Sequence, residues 1–385
     1  MVISSSKIEQ AMEQAVSRGV FPSAELLVAH SHGILFHKHF GQARPGTCFD
    51  IASLTKAIAT ATLAMQLTAE GLLKLEETLP QWIVSAHQPF HPKVTVAHLL
   101  SHRAGFPAWQ PYFRELPLDL VGTDEGRKSL IHAILREPPF YEPGGQCLYS
   151  DIGYIVLGEI LAEAGYAPLD VLFQHRVAIP LDLKNTFFVR NIGMPIHKTS
   201  HGFAKAGQHI PTGTPVGGMR EKIAPGRITR RFAPTEDCPW RERVIHGEVH
   251  DPNAYAMGGV AGHAGLFSTA EDLHRFVLEL LKCYRGESDW IPKETVRQFL
   301  EAPHTPGTFV LGWDTPAAEG STAGRHFSPE SVGHLGYTGC SLWIDLKKMF
   351  WVILLSNRVH PDATNEKIRT FRPKIHDLAM TELHR

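Results

Sequence analysis

Ser53-Leu54-Thr55-Lys56 places a hydroxyl and an amine three residues apart at the head of an apolar stretch that runs to Glu70. Residues i and i+3 share a helix face with Cβ atoms about 5–6 Å apart, so the Lys56 amine can reach the Ser53 hydroxyl. That pairing is a nucleophile beside its base. Unpaired N–H groups and the positive end of the dipole at a helix N-terminus stabilise a developing anion, and a half-desolvated lysine titrates near neutrality. The bare pattern is cheap, because Ser4-Ser5-Ser6-Lys7 satisfies it too. Only Ser53 opens a long helix apolar enough to be buried. The competing reading is a helix-capping serine followed by a solvated lysine.

A second group follows at Tyr149-Ser150-Asp151, after the turn Pro143-Gly144-Gly145 and before the helical run Ile152-Gly153-Tyr154-Ile155-Val156-Leu157-Gly158. An S-x-x-K on a buried helix, followed by Y-S-[ND]-x-G-Y-x-x-L-G after a Pro-Gly turn, resembles the serine β-lactamase and penicillin-binding-protein superfamily. The likeness is to its class C side, which includes the family VIII carboxylesterases. It implies Ser53, Lys56 and Tyr149 as catalytic residues. The tyrosine would be the second proton shuttle, since a lysine ammonium nearby lowers a phenol's pKa. The family's third element is [KH]-x-G on a strand edging the site. Pattern alone leaves four matches: His39-Phe40-Gly41, Lys205-Ala206-Gly207, His263-Ala264-Gly265 and His334-Leu335-Gly336. The family order selects His334, which comes last and directly precedes a strand pair. The resemblance then implies an oxyanion hole from the backbone N–H groups of Ser53 and Tyr337, with Asp151, His334 and Gly336 as substrate-binding or supporting residues. One such donor is worth about 3–4 kcal/mol in the transition state.

Two departures from the family pattern bear on chemistry. Asp151 stands where many members have asparagine, so a carboxylate would face Lys56, hold it protonated and shift proton abstraction towards Tyr149. Leu335 stands where β-lactamases carry threonine or serine, so a hydroxyl that helps hold the β-lactam carboxylate is missing. The loss of one bond to a charged group costs about 1.5–3 kcal/mol. Esters and short acyl substrates are therefore expected over penicillins.

The elements that must position these residues are legible in outline. Residues 4 to 18 carry apolar positions at helical spacing, and Ala24 to His30 and Gly33 to Phe40 form a hairpin about Ser31-His32. Short helices broken by Pro and Gly follow, over Thr95 to His102, Gly126 to Arg136, Asp151 to Ala164 and Leu169 to Val177. Residues 191 to 250 show little periodicity. Ser268-Thr269-Ala270-Glu271 has capping-box form and starts a helix through Leu281. Thr308 to Trp313, Ser341 to Leu346 and Met349 to Ser356 read as strands, and a helix from about Glu366 closes the chain. Leu99 to Phe106 and Gly265 to Leu273 resemble scaffold segments of the family. The fold class expected is α+β, an α/β/α sandwich of β-lactamase/transpeptidase type, with an antiparallel sheet of about five strands flanked by helices. Residues 1–75 and 251–385 would form that lobe, and 76–250 an inserted, mostly helical lobe containing the irregular segment 191–250.

Composition excludes other classes. The 385 residues are 43% hydrophobic and 20% charged, with 38 Lys+Arg against 39 Asp+Glu and no block of like charge. That is globular, with no electrostatic footprint for nucleic acid or anionic lipid. The longest strongly apolar run, Met349 to Leu355, is a third of a membrane span, and no leader is visible, so no membrane partner is expected. Five cysteines without C-x-x-C argue against a disulfide scaffold or thiolate zinc site and fit a reducing cytoplasm. Cys48, Cys147 and Cys340 lie near the three motifs and read as small buried residues. His246-Gly247-Glu248-Val249-His250-Asp251 matches no zinc spacing and reads as a hydrogen-bonded loop anchoring Asn253 and Tyr255. Trp109, Tyr112 and Phe113 read as pocket wall or core. No metal or organic cofactor is required. The function expected is a serine acyl hydrolase working through an acyl-enzyme on a small ester, amide or lactam, foremost a cytoplasmic carboxylesterase. The alternatives are a β-lactamase or D-alanyl-D-alanine peptidase, and a non-catalytic ligand-binding relative.

Overall fold

A computed structural model describes residues 6–82, 92–191, 230–303 and 306–383. The first amphipathic stretch is helix α1 (Ser6–Ser17), and the hairpin is β1 (Ser23–His30) with β2 (Gly33–Gly41). Next comes β3 (Thr47–Asp50), which delivers the chain to Ser53. The apolar helix after it is uneven: Lys56–Ala61 is wound as a wider π-turn before α2 (Thr62–Ala69). Such π segments inside helices are frequent at functional sites. Helices α3 (Leu79–Trp82), α4 (Val96–Leu100), α5 (Asp124–Arg136), α6 (Asp151–Ala164) and α7 (Leu169–Phe173) follow. The Ser150 hydroxyl caps α6 by accepting from the Gly153 N–H at 3.0 Å. Short strands β4 (Phe187–Phe188), β5 (Arg231–Phe232), β6 (Asp237–Cys238) and β7 (Arg243–Val244) come next, then α8 (Pro252–Ala256) and β8 (Leu266–Ser268). The chain ends with α9 (Ala270–Arg285), α10 (Lys293–Leu300), β9 (Ser331–Leu335), β10 (Ser341–Asp345), β11 (Phe350–Ser356) and α11 (Ile368–Leu383).

The five-stranded sheet has the order β2-β1-β11-β10-β9 with every neighbouring pair antiparallel. Side chains alternate across a pleated strand, and both faces of this sheet are covered. Leu26, Val28, Val352 and Leu354 pack with Ile8 and Met12 of α1 and Ile375 and Ala379 of α11. Leu27, Ala29, Ile353 and Leu355 point the other way into the larger core, with Leu273 and Phe276 of α9, α2 and α6. The result is an α/β/α layering in which the first two strands and the last three lie in one sheet. A second sheet, β4-β8-β3-β5, forms the floor beneath Ser53.

Three local expectations need correction. Thr308 to Trp313 is a turn with a bridge between Phe309 and Asp314, because Gly307 and Gly312 adopt φ of 98° and 94°. At Gly312 a Cβ would stand 2.2 Å from that of Ala61, so the chain approaches the Ser53 helix where no side chain fits. Helix α9 is capped by Thr269 rather than Ser268, accepting from Asp272 N, and it runs past Leu281 to Arg285. The irregular 191–250 segment contains β5, β6 and β7 in its described part. The remainder, the Lys205-Ala206-Gly207 match, and Ser4 and Ser5 lie outside the described residues. Among the described residues no helix is long and apolar enough to cross a membrane. All five cysteines are free thiols.

Candidate active site

The turn from β3 to Ser53 is held by Asp50. This buried carboxylate accepts from the Ala52 N–H at 2.8 Å and the His250 N–H at 2.7 Å, and burial pushes its pKa up. Ala52 sits at φ 47°, a left-handed conformation that costs a residue with a Cβ about 1–2 kcal/mol. The strained turn leaves Ser53 partly exposed in a cleft, while Lys56 is fully buried one turn later. Lys56 Nζ reaches three acceptors: Ser53 Oγ at 2.8 Å, Asp151 Oδ1 at 2.7 Å and the His263 carbonyl at 3.1 Å. Burial lowers the pKa of this amine, and the charge and hydrogen bond of Asp151 oppose the shift only in part. The expected contact between Asp151 and Lys56 is therefore present.

Tyr149 completes the group, with its hydroxyl hydrogen-bonded to Ser53 and its ring centroid 4.9 Å from Lys56 Nζ. Burial, and then the charge of Asp151, raise its pKa well above the ordinary phenol value. The lowered phenol pKa anticipated from the nearby lysine is accordingly not found: burial and the Asp151 carboxylate push it the other way. His102 packs tilted against this ring at 4.6 Å and its Nδ1 accepts from Ser150 N at 3.0 Å, fixing the segment that carries Tyr149. The His334 ring lies 6.0 Å from that of Tyr149. Its Nδ1–H donates to the Leu335 carbonyl at 2.9 Å, and burial, then the Lys56 charge, push its pKa down to about 3, so it is neutral.

Gly336 follows at the end of β9, where a Cβ would stand 2.5 Å from the Ile51 carbonyl oxygen. Only glycine lets the two chains meet this closely. The Gly336 carbonyl accepts from Arg372 at 2.8 Å, the Tyr337 carbonyl from Arg358 at 2.8 Å, and the Thr338 hydroxyl donates to the Asp50 carbonyl at 2.7 Å. Peptide planarity then fixes the Tyr337 N–H opposite the anchored Gly336 carbonyl. A second close approach sets the cage around Lys56. At Gly262 a Cβ would meet the Tyr154 carbonyl at 2.1 Å, and at Gly158 one would meet Gly262 N at 2.8 Å. Helix α6, which carries Asp151, thereby touches backbone to backbone the loop that supplies the His263 carbonyl.

The His246–Asp251 stretch is bonded to its surroundings. His250 Nε2 meets Glu236 at 3.1 Å and His246 Nε2 the Phe232 carbonyl at 3.1 Å. Asp251 caps α8 through Ala254 N at 2.7 Å and meets His263 Nε2 at 2.8 Å. Asn253 in turn accepts from Phe113 N at 3.0 Å and donates to the Gln110 carbonyl at 2.8 Å. The cleft has a volume of about 890 Å³ and is lined by Ser53, Tyr149, Asp151, His334, Gly336 and Tyr337 together with Trp109, Phe113, Trp240 and Leu335. Its walls are mainly apolar. Tyr112 lies in the core, while Trp109 is exposed and Phe113 packs edge-on to Trp240 at 4.5 Å. Sequence reading did not single out Asp50, His102, Asp251 or Arg372 as site residues. His102 lay in a segment assigned to scaffold, Asp251 in a stretch read as a bonded loop, and His263 in one of the three [KH]-x-G matches not selected; Asp50 and Arg372 carried no local signal.

The layered fold and this site define a hydrolase of the β-lactamase/transpeptidase type, and comparison with known proteins is consistent. The Beta-lactamase family model matches residues 8–375. A protein of Escherichia coli (strain K12) described as "Putative D-alanyl-D-alanine carboxypeptidase" is 30% identical over 389 residues, covering 94% of this chain and 84% of that protein. Among solved structures, "EstCE1, a hydrolase with promiscuous acyltransferase activity" superposes with a TM-score of 0.69 at 22% identity, covering 97% of this chain and 98% of its own. The octameric penicillin-binding protein homologue from Pyrococcus abyssi gives 0.68 at 18% identity, covering 98% of this chain and 77% of its own. These two likenesses carry the fold. The chain belongs to the beta-lactamase family, and it is a serine hydrolase.

Proposed function

We propose that the protein is a carboxylesterase of the class C β-lactamase-like kind that hydrolyses esters of apolar acyl groups through an acyl-enzyme on Ser53 of an S-x-x-K motif. Lys56 is the acylation base. As an ammonium its three N–H groups match its three acceptors; as a free amine it still donates to Asp151 and the His263 carbonyl while its lone pair faces the Ser53 O–H. Ser53 Oγ attacks the ester carbonyl and its proton passes to Lys56. Tyr149, kept as a phenol, relays a proton to the leaving alkoxide and is reprotonated from Lys56. Water then attacks the acyl-enzyme by the same route in reverse. Among the described residues neither the Ser53 nor the Tyr337 N–H donates to a protein acceptor, which supports their use as the oxyanion hole. Asp151, His334 and Gly336 hold these groups in place.

The observation that carries the ester reading is the apolar wall of Leu335, Trp109, Phe113 and Trp240 beside Ser53. A peptidase acting on D-alanyl-D-alanine is the second reading, favoured by the Escherichia coli relative. Two of the arginines at the cleft, Arg358 and Arg372, already serve backbone carbonyls, which weighs against their binding a substrate carboxylate. A panel of p-nitrophenyl esters, a chromogenic cephalosporin and D-Ala-D-Ala peptides separates the readings: ester turnover is expected to dominate, and peptide turnover in its place would overturn the assignment. Fluorophosphonate labelling read by intact mass is expected on wild type and absent from Ser53→Ala. Five free thiols support a cytoplasmic setting. The meeting of both chain ends in one sheet supports the division into 1–75 with 251–385 and an inserted 76–250, with β5 pairing back onto β3.

A further inference from the structure

We propose that Glu25, His37 and His39 form a binding site for a divalent metal ion of the zinc class, stapling the edge strand β2 to β1 and to the start of α9. Glu25 lies directly opposite His39 in the β1–β2 register, and His37 is two residues further along the same strand. Period-two alternation puts both imidazoles on the face that carries the Glu25 carboxylate. Glu25 Oε1 lies 2.7 Å from His37 Nε2 and 3.3 Å from His39 Nε2, and the three ligand atoms all fall within 4.8 Å of one another. Around a tetrahedral ion with ligands at about 2.0–2.1 Å, neighbouring donors are about 3.3 Å apart, so little side-chain movement is needed.

The carboxylate is also oriented from behind. Its second oxygen accepts from Ala270 N at 3.0 Å, in the first turn of α9, the kind of outer contact that steadies a metal ligand. Glu25 is 2% exposed whereas His37 and His39 are 19% and 18% exposed, which leaves an entry path from the strand edge. Two imidazoles with one carboxylate suit Zn²⁺ among the common divalent ions, and water can fill the remaining position. A buried carboxylate needs a positive partner. A divalent cation held between the carboxylate and the two imidazoles supplies it. Proton and metal compete for the same lone pair, so metal binding strengthens as pH rises. Glu271 and His274 of α9 are the other titratable groups facing His37. The site sits four strands from His334, roughly 19 Å across the sheet. It is separate from the hydrolytic cleft.

The full-length protein, stripped with a chelator, is titrated with Zn²⁺ by calorimetry at pH 7.5 and 5.5 and melted with and without the ion. One equivalent is expected at pH 7.5, with a higher melting temperature and at least tenfold weaker binding at pH 5.5. His37→Gln/His39→Gln is expected to weaken zinc binding at least tenfold and abolish the melting shift, while His246→Ala, which removes an exposed imidazole elsewhere, changes neither. Ester turnover is expected to be equal with and without zinc. Should the double variant misfold, zinc protection of wild-type His37 and His39 from diethyl pyrocarbonate, mapped by peptide mass, decides the matter. No zinc uptake by wild type, equal uptake by a folded double variant, or no protection of these two histidines overturns the site.

Discussion

Replacing Gly336 with alanine puts a methyl 2.5 Å from the Ile51 carbonyl oxygen, where carbon–oxygen contacts settle at about 3.3–3.6 Å. The end of β9 and the Ser53 turn must therefore separate by about 1 Å. Neither side yields easily, since Thr338 is tied to the Asp50 carbonyl and Arg372 to that of Gly336. Overpacking of this size costs about 1–3 kcal/mol of stability, which a chain of this size survives. Its effect on turnover is larger, because the movement lies between the two N–H groups proposed to share one oxyanion. Donors there must stand about 2.7–3.1 Å from the oxygen, and loss of one costs about 10²–10³ in kcat, or about 2.7–4 kcal/mol. Stopped-flow hydrolysis of a p-nitrophenyl ester, with circular dichroism to confirm folding, should show Gly336→Ala folded and slowed by that factor. A folded variant within threefold of wild-type kcat would refute the reasoning.

Tyr149→Phe should lower kcat by at least two orders of magnitude while leaving the thermal melt nearly unchanged, as expected for removal of a proton shuttle. In Asp151→Asn the anion that holds up the Lys56 pKa is gone, so burial lowers it further and the acid limb of kcat/KM should move to lower pH; an unmoved limb would show that Lys56 is not the base. Burial pushes the Asp314 carboxyl up to about 6 from an ordinary 3.8, so it ionises later in the fold than in the unfolded chain. Stability then falls as pH rises between about 4 and 6, by up to about 3 kcal/mol, and Asp314→Asn should raise the melting temperature at pH 7.5 more than at pH 4.

The parts of this molecule that could be read from sequence are those with a strong local period or a strict spacing. The Ser53–Lys56 interval, the β1–β2 hairpin and the β10–β11 pair each carry their own signal, and they appear where expected. Strands β4, β5 and β8 are two or three residues long, too short for alternation to register, so the small sheet under Ser53 was invisible. Thr308–Trp313 has strand-forming residues, but the packing of Gly312 on Ala61 overrides propensity. Asp50 and Arg372 bond backbone atoms distant in sequence, at His250 and Gly336, and nothing in their neighbours reveals it. The phenol of Tyr149 was misjudged because desolvation depends on what packs around a group, which composition does not disclose.

The Gly158–Gly262 contact limits how such an enzyme can diversify. The spacing of Asp151 and the His263 carbonyl, two of the three acceptors of Lys56, is set by the absence of side chains on both facing backbones, so even one added methyl would wedge them apart. The proton-transfer geometry proposed for Lys56 is thus locked by atoms that are missing, and has no graded adjustment. Tolerance for new acyl or alcohol groups has to come from the rim, where Trp109 and Tyr337 stand exposed and can be exchanged without disturbing that grip.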